Sequence, residues 1–268
     1  SIGLPIFNGA ATIDRSIATI LNQTYTDFEL IISDNKSGDD TEDICRDIAR
    51  HDSRICYIRH NDHMSGFENF KYVLEQASAE IFMWHACDDY RSTNYIEENY
   101  KNLLMRGDCV GSASPNCFDD QEKDCDRWVR FSLEGSTYVR MRTFMDNAFS
   151  SHGIFYGLFR RAPLQMITWP VRQPLGFDWG IIASVLLEGS IARIDRGLFV
   201  SGRGGISQAP GRISRCQYNV LDGVFPFQRY ARWVFRVLRG CDQITVAEKL
   251  LLARELWRLN WRYKFRSD

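Results

Sequence analysis

Two adjacent aspartates, Asp88-Asp89, follow the apolar run Ile81-Phe82-Met83-Trp84, with only His85-Ala86-Cys87 between. A short apolar run of this kind reads as a buried strand, so the pair is delivered to a strand's C-terminal mouth. Two carboxylates there suit a hard divalent cation, Mg or Mn, which keeps several waters and shares the phosphates of a ligand. The same residues could instead cap the helix expected over Ser92 to Leu104. The elements around the pair weigh between these readings.

Those elements alternate. Ile2 to Phe7 reads as a strand, Ile13, Ile17, Ile20 and Leu21 recur at helical spacing, and Phe28 to Ile32 reads as a second strand ending at Ser33-Asp34-Asn35. Asp39, Asp40 and Thr41 open a second helix carrying Ile44 and Ile48. Ile55 to Arg59 is a third strand, Phe67, Phe70, Leu74 and Ala77 share a third helix face, and Ile81 to His85 is the fourth strand. The order β-α-β-α-β-α-β implies a parallel sheet covered by helices, with ligands bound beyond the strands' carboxyl ends. Phe7-Asn8-Gly9, Asp34-Asn35-Lys36-Ser37 and Asp88-Asp89 would share that rim.

The middle is less regular, and residues 111–137 give no clear strand pattern. His152 to Phe159 reads as a strand, Phe177 to Leu187 as a helix with Asp178 near its start, and Ile191 to Val200 as a strand followed by the glycine-rich loop at 201–207. Beyond about Gln217 comes a tail of two helices. Tyr230, Trp233, Val234, Val237 and Leu238 form an apolar stripe among Arg229, Arg232, Arg236 and Arg239, and Trp257 and Trp261 alternate with Arg254, Arg258, Arg262, Lys264 and Arg266. Such a pattern fits an interfacial helix on an anionic membrane, or packing on the rest of the chain or on a second copy.

The 268 residues suffice for one large domain, or a domain with an appendage. A net charge of −1 supplies no general attraction to nucleic acid, so none is expected as a partner. No apolar stretch reaches the roughly 20 residues of a membrane span. Ser1-Ile2-Gly3-Leu4 reads as the interior of a first strand, so residues are expected to precede it. The eight cysteines form no CxxC pair, which makes zinc an unsuitable reading and reduced, structural thiols the expectation.

Taken together, these segments resemble family 2 glycosyltransferases of the GT-A fold, over about residues 1–210. Ile2-Gly3-Leu4-Pro5-Ile6-Phe7-Asn8 resembles the family's first strand, and Ile20 to Tyr25 with Phe28 to Ile32 its next helix end and second strand. Asp34-Asn35-Lys36-Ser37 stands where Asp-Asp-Gly-Ser is common, Gly66 and Asn69 match a Gly-xxx-Asn pattern, and Asp88-Asp89 stands at the metal and ribose motif. The implied fold is α/β: a Rossmann-like, mostly parallel central sheet flanked by helices, with a C-terminal helical extension. The implied organisation is a GT-A domain over 1–215, with a nucleotide-binding half at 1–92 and an acceptor-binding half at 93–215, then a basic aromatic extension over 216–268.

The resemblance also implies roles. Pro5 and Phe7 would flank the nucleobase beside Asn8, Asp34 or Asn35 would bond its edge, and Gly66 and Asn69 would complete the nucleotide pocket. Asp88 would contact ribose or metal, and Asp89 the metal, Mn or Mg, between the phosphates. Asp178, in Gly176-Phe177-Asp178-Trp179, matches the family's catalytic base. A base opposite the leaving group gives direct displacement and inversion. His152, Tyr156 and Trp179 would line the acceptor side, and Arg203 would clamp the diphosphate. The chain departs from the family at Ala86 and Phe177, where acids are usual, and at Asn35, which carries no charge.

The implied activity is an inverting, metal-dependent hexosyl- or N-acetylhexosaminyl-transferase. It would move sugar from a nucleotide-sugar donor, a UDP-sugar, to a glycan or lipid-linked acceptor in bacterial surface polysaccharide synthesis. Its place would be cytoplasmic, with peripheral contact at the inner face of the cell membrane or a homodimer through the C-terminal helices. The departures at Ala86 and Phe177 keep open a non-catalytic nucleotide-sugar-binding protein derived from a transferase. A sugar nucleotidyltransferase fits less well, because no glycine-rich, arginine-containing loop follows the first strand.

Overall fold

The computed structural model describes residues 1–119, 131–150, 152–202 and 218–264. Its first third alternates as the periodicity requires. β1 (Ile2–Ile6), α1 (Ile13–Leu21), β2 (Leu30–Asp34), α2 (Thr41–His51), β3 (Ile55–Arg59), α3 (Gly66–Gln76) and β4 (Ile81–Trp84) follow one another, and the strands lie parallel in the order β3-β2-β1-β4. β1 and β2 are buried along their whole length, which is why they read as unbroken apolar runs. α1 puts Ile13, Ile17 and Ile20 into the core. α3 starts at a capping box: the Ser65 hydroxyl accepts from Glu68 N–H and the Glu68 carboxylate accepts from Ser65 N–H. Gly3 lets α3 approach β1, since a Cβ there would sit 2.6 Å from Val73 Cγ2.

The chain continues through β5 (Tyr90–Arg91), α4 (Tyr95–Met105), β6 (Cys109–Ala113), β7 (Asn116–Phe118), α5 (Thr137–Asp146), β8 (Leu158–Arg160), α6 (Arg161–Gln165), α7 (Phe177–Glu188), β9 (Ser190–Arg193) and β10 (Phe199–Ser201). The main sheet has seven strands in the order β3-β2-β1-β4-β8-β6-β9, and β8 is antiparallel to both neighbours. A second sheet, β5-β10-β7, stands beside it.

Two expected strands are shorter than their apolar runs suggest. Residues 152–159 are not one strand. They form a 3-10 turn at His152–Ile154 and a further turn closed by Gly157 N–H on Ile154 O, and the chain enters β8 only at Leu158. Gly157 permits this because a Cβ there would press on the Ser112 carbonyl at 2.6 Å. Residues 191–200 divide as well. β9 pairs with β6 in the main sheet, and β10 pairs with β5 and β7 in the small one. The chain changes sheet at Gly197, whose φ of 74° is left-handed.

The tail forms α8 (Val220–Val224), α9 (Gln228–Arg239) and α10 (Val246–Lys264). The stripe of α9 faces inward: Tyr230, Trp233, Val234 and Leu238 are buried in a core shared with Ile181, Ile182 and Val185 of α7. Gly180 makes that packing possible, since a Cβ there would overlap the Trp233 ring. Replacing Gly180 with Val is therefore expected to lower unfolding free energy by about 1–3 kcal/mol through overpacking, read as a lower thermal midpoint. Adding Trp233→Leu should recover part of the loss.

Cys45, Cys56, Cys87, Cys109 and Cys241 are free thiols. Cys117 is disulfide-bonded, which departs from the expectation of reduced thiols throughout. Among the described residues no helix is long and apolar enough to cross a membrane.

Candidate functional site

The carboxyl ends of β1, β2 and β4 carry the three expected polar clusters. At the end of β1, Pro5 is buried while Phe7 is 46% exposed, with its ring edge-on to His63 at 4.7 Å. Asn8 has a left-handed φ of 52°, its N–H donates to Ser37 Oγ, and its Oδ1 accepts from Gly38 N–H. The β1 and β2 ends are thus fastened to each other.

Asp34 is fully buried and multiply bonded. Oδ1 accepts from Ser37 N–H at 2.8 Å, and Oδ2 accepts from the Tyr57 hydroxyl and from Arg59 Nη1, both at 2.7 Å. Burial alone would raise its pKa, but these bonds outweigh it and hold the carboxyl below its usual range. Asn35 pairs like a peptide unit with Met64: Nδ2 donates to the Met64 carbonyl at 2.7 Å and Oδ1 accepts from Met64 N–H at 2.8 Å. It thereby positions the loop that carries His63 beside Phe7. Gly66 opens α3, and Asn69 ties that helix to β2, donating to Ser33 O at 2.9 Å.

At the end of β4 a chain of hydrogen bonds sets the turn into the aspartates. Arg91 Nη1 contacts His85 Nδ1, and since a guanidinium only donates, Nδ1 accepts and the imidazole proton sits on Nε2. Nε2 then meets Ser16 Oγ at 2.8 Å, and Ser16 Oγ donates to Ala86 O at 3.0 Å. Burial, with the Arg91 cation beside it, keeps His85 neutral well below its usual pKa. Ala86 O also accepts from Asp89 N–H at 3.2 Å.

Asp89 is buried, and its Oδ1 accepts from Gly202 N–H at 3.1 Å. Oδ2 is buried with no hydrogen-bond partner among the described residues. Burial, then the adjacent Asp88 charge, pushes its pKa up to about 8, and Arg91 opposes the rise. Gly202 lies flat on the pair, since a Cβ there would be 2.8 Å from Asp88 Cβ and Oδ2.

Arg91, which sequence reasoning passed over, and Gly202, from the glycine-rich loop, organise this corner. Arg91, 5% exposed, donates from Nη2 to Trp84 O and to Tyr156 O, both at 3.0 Å, and its guanidinium lies over the Tyr95 and Phe199 rings. It joins β4, the turn before β8, and β10. Gly202 brings the end of β10 onto the aspartates. An arginine two residues past an Asp pair was visible in the sequence, but its burial was not.

Tyr156 and the start of α7 hold the residues expected on the acceptor side. Tyr156 stacks on Phe199 at 5.0 Å. Burial raises its phenol well above the ordinary pKa, and the charges of Asp89, Asp88 and Asp178 add to the rise. All three aspartates therefore act on one hydroxyl. Asp178, half-buried in the first turn of α7, also raises the Tyr230 phenol, after burial. Trp179 stacks on Phe227 at 5.4 Å and 3°. Phe177 packs against Phe67 and Phe70, each at 5.5 Å, and against Phe155 at 6.0 Å, an apolar setting that would not accept a glutamate. His152 begins its 3-10 turn. Arg203 lies outside the described residues.

The family model of glycosyl transferase family 2 matches residues 1–165, more than half of the chain. This chain belongs to glycosyltransferase family 2. Among curated relatives, a GalNAc(5)-diNAcBac-PP-undecaprenol beta-1,3-glucosyltransferase of Campylobacter jejuni is 28% identical over 171 residues, 62% of this chain and 52% of that protein. The UDP-Glc:alpha-D-GlcNAc-diphosphoundecaprenol beta-1,3-glucosyltransferase WfgD of Escherichia coli is 30% identical over 105 residues, 39% of this chain and 40% of that protein. The chain thus spans about half the length of the Campylobacter protein or less of WfgD.

Among solved structures, S. aureus TarS 1–349 in complex with UDP-GlcNAc superposes with a TM-score of 0.73 at 14% identity, covering 95% of this chain and 70% of that one. The mannosyltransferase PcManGT from Pyrobaculum calidifontis, in complex with GDP-Man and Mn2+, gives a TM-score of 0.58 at 14% identity, covering 94% and 78%. The fold is GT-A, a mostly parallel central sheet flanked by helices with helices at the C-terminus, as the family 2 resemblance implied.

Proposed function

We propose that this family 2 chain is an inverting glycosyltransferase that moves a sugar from a UDP-sugar to a hydroxyl of a lipid-linked glycan. The observation that carries the reading is Asp89, buried just past the carboxyl end of β4 in the parallel sheet with Oδ2 lacking a hydrogen-bond partner among the described residues, while the charges of Asp88, Asp89 and Asp178 all raise the Tyr156 phenol. These aspartates supply groups of the two kinds a displacement needs, a cation site for the departing diphosphate and a base for the incoming hydroxyl. The relatives named for glucosyl transfer to undecaprenyl-diphosphate glycans, and the neighbour bound to UDP-GlcNAc, support the acceptor and donor classes.

The residues present fit a divalent cation. The buried Oδ2 of Asp89 has no hydrogen-bond partner among the described residues, and once ionised beside the Asp88 carboxylate it would be matched by a cation. Among the described residues no three His, Cys, Asp or Glu side chains gather into a metal site, so phosphate oxygens and water would complete the coordination. Asp89 and Asp88 would hold the ion, Mn or Mg, and when bound it offsets the charge that grows on the nucleoside diphosphate. The neighbour solved with Mn2+ supports this assignment.

The protein's own groups do the remaining work. Phe7 offers its exposed face to the nucleobase, with Pro5 behind it and Asn8 at the edge. Asn35 Oδ1 accepts one hydrogen bond from Met64 and keeps a second lone pair for an imide N–H of the base. Asp34, Gly66 and Asn69 hold the strand end and helix that shape this pocket. Asp178 takes the proton of the acceptor hydroxyl as it attacks the anomeric carbon from the face opposite the leaving group, which inverts the configuration. Tyr156, whose phenol the charges of all three aspartates raise, belongs with His152 and Trp179 to the acceptor side.

Thermal unfolding with UDP, GDP, dTDP and CMP, each with Mn, Mg or chelator, tests the reading. UDP at about a hundred times its Kd should add about 2.7 kcal/mol, and only with metal present. No shift with any nucleotide would overturn it and leave a non-catalytic relative. Phe7→Ala should weaken UDP binding about five- to a hundredfold, from the loss of base stacking worth about 1–3 kcal/mol. Titration calorimetry measures it, and the exposure of Phe7 leaves the fold intact.

A further inference from the structure

We infer that the C-terminal helices carry a docking surface for an anionic lipid bilayer, centred on Trp257 and Trp261. α10 buries Leu252, Glu255, Leu256, Leu259 and Asn260 and turns the opposite face outward. That outer face holds Leu250, Arg254, Trp257 and Trp261 at helical spacing, with Trp257 and Trp261 about half exposed. Phe225 meets both indoles, at 6.0 and 6.5 Å, and so brings the exposed Leu221 and Val224 of α8 to the same patch.

Charge selects the occupant. Residues 218–264 carry nine Lys or Arg against four Asp or Glu, while the whole chain is net −1, so the part before them is acidic. Asp222 is paired with Arg229, and Glu255 with Arg258. Arg232, Arg236, Arg239 and Arg254 are exposed and make no ion pair among the described residues. Lys249 Nζ donates to the Arg239 carbonyl, which joins the C-terminal end of α9 to the start of α10. Indoles on one helix face with the unpaired Arg254, among helices whose other exposed arginines are also unpaired, match the interfacial and headgroup layers of an anionic bilayer. A second copy of this chain on a twofold axis would set these like charges against each other.

The patch also adjoins the acceptor side. Asp178 is followed by Trp179, which stacks on Phe227, and Phe227 N–H donates to Asn260 Oδ1 at 2.8 Å, next to Trp261. A membrane under α10 would lie close to the proposed base, where a lipid-linked acceptor would be presented. That purpose rests on the proposed function, but the docking does not.

Co-sedimentation of the whole chain with phosphatidylcholine vesicles, and with vesicles containing phosphatidylglycerol, tests it. Binding should appear only with phosphatidylglycerol, weaken in high salt, and blue-shift tryptophan emission. Arg232→Glu with Arg254→Glu should lower vesicle affinity at least about twentyfold, at about fivefold per cationic charge lost, and Trp257→Ser with Trp261→Ser should abolish the emission shift. Metal-dependent UDP binding should be unchanged in both, which shows they are folded and reads the transferase proposal separately. Equal binding to both vesicles, binding to neither, or a dimer in light scattering that the tryptophan variant dissolves, would overturn the inference.

Discussion

Asp178→Asn is expected to lower the rate of sugar transfer about 10²- to 10⁴-fold, the usual weight of a positioned general base, while UDP and metal bind as before. Asn keeps the size and polarity of the side chain at the start of α7 but accepts no proton, so the loss should fall on kcat rather than on KM for the donor. A rate series at saturating donor, with UDP affinity measured in parallel, reads the two separately. An Asn variant with unchanged kcat would remove Asp178 from the reaction.

Asp89→Asn should abolish the metal-dependent part of UDP binding. A second consequence follows from the raised pKa of Asp89, about 8, held there by burial and by Asp88. Below that value the free protein keeps this carboxyl protonated, and a bound cation requires it ionised. Metal and UDP should therefore bind with release of a proton at pH 6, and the release should fade as the pH passes about 8. Calorimetry in buffers of different ionisation enthalpy measures it. The unliganded fold responds too. Between about pH 4 and 8 the native chain binds this proton and the unfolded chain does not, so stability should fall as pH rises through that window and level off above it. Asp89→Asn should flatten the fall.

The alternation of strand and helix up to Trp84 was legible because β1 and β2 are buried on both faces and α1 carries a clean apolar stripe, so pattern and packing agree. The rim followed from that order, and with it Phe7, Asp34, Asn35 and Asp88-Asp89. What lay beyond reach depends on partners far along the chain. Residues 152–159 carry enough apolar side chains to pass for a strand, yet Gly157 turns the backbone to present the Tyr156 carbonyl to Arg91. The apolar stripes of α9 and α10 look alike in sequence. Only the gap at Gly180 shows that Trp233 goes inward, while Trp257 and Trp261 stay out. Asp34 and Asn35 were expected at the base edge, and the structure adds that both hold the rim together, a task invisible without Tyr57, Arg59 and Met64.

Gly202 reaches back 113 residues to the Asp89 carboxylate, and this bears on how such enzymes can be recombined. A crossover at residue 92, the boundary proposed between a nucleotide-binding and an acceptor-binding half, would carry both aspartates into the hybrid while leaving their brace, β10, to a foreign sequence. The Arg91 bond to Tyr156 and the pairing of β4 with β8 would be cut by the same splice. Hybrids that exchange donor specificity should therefore keep 199–202 with the aspartate pair, as one inherited unit split across the gene.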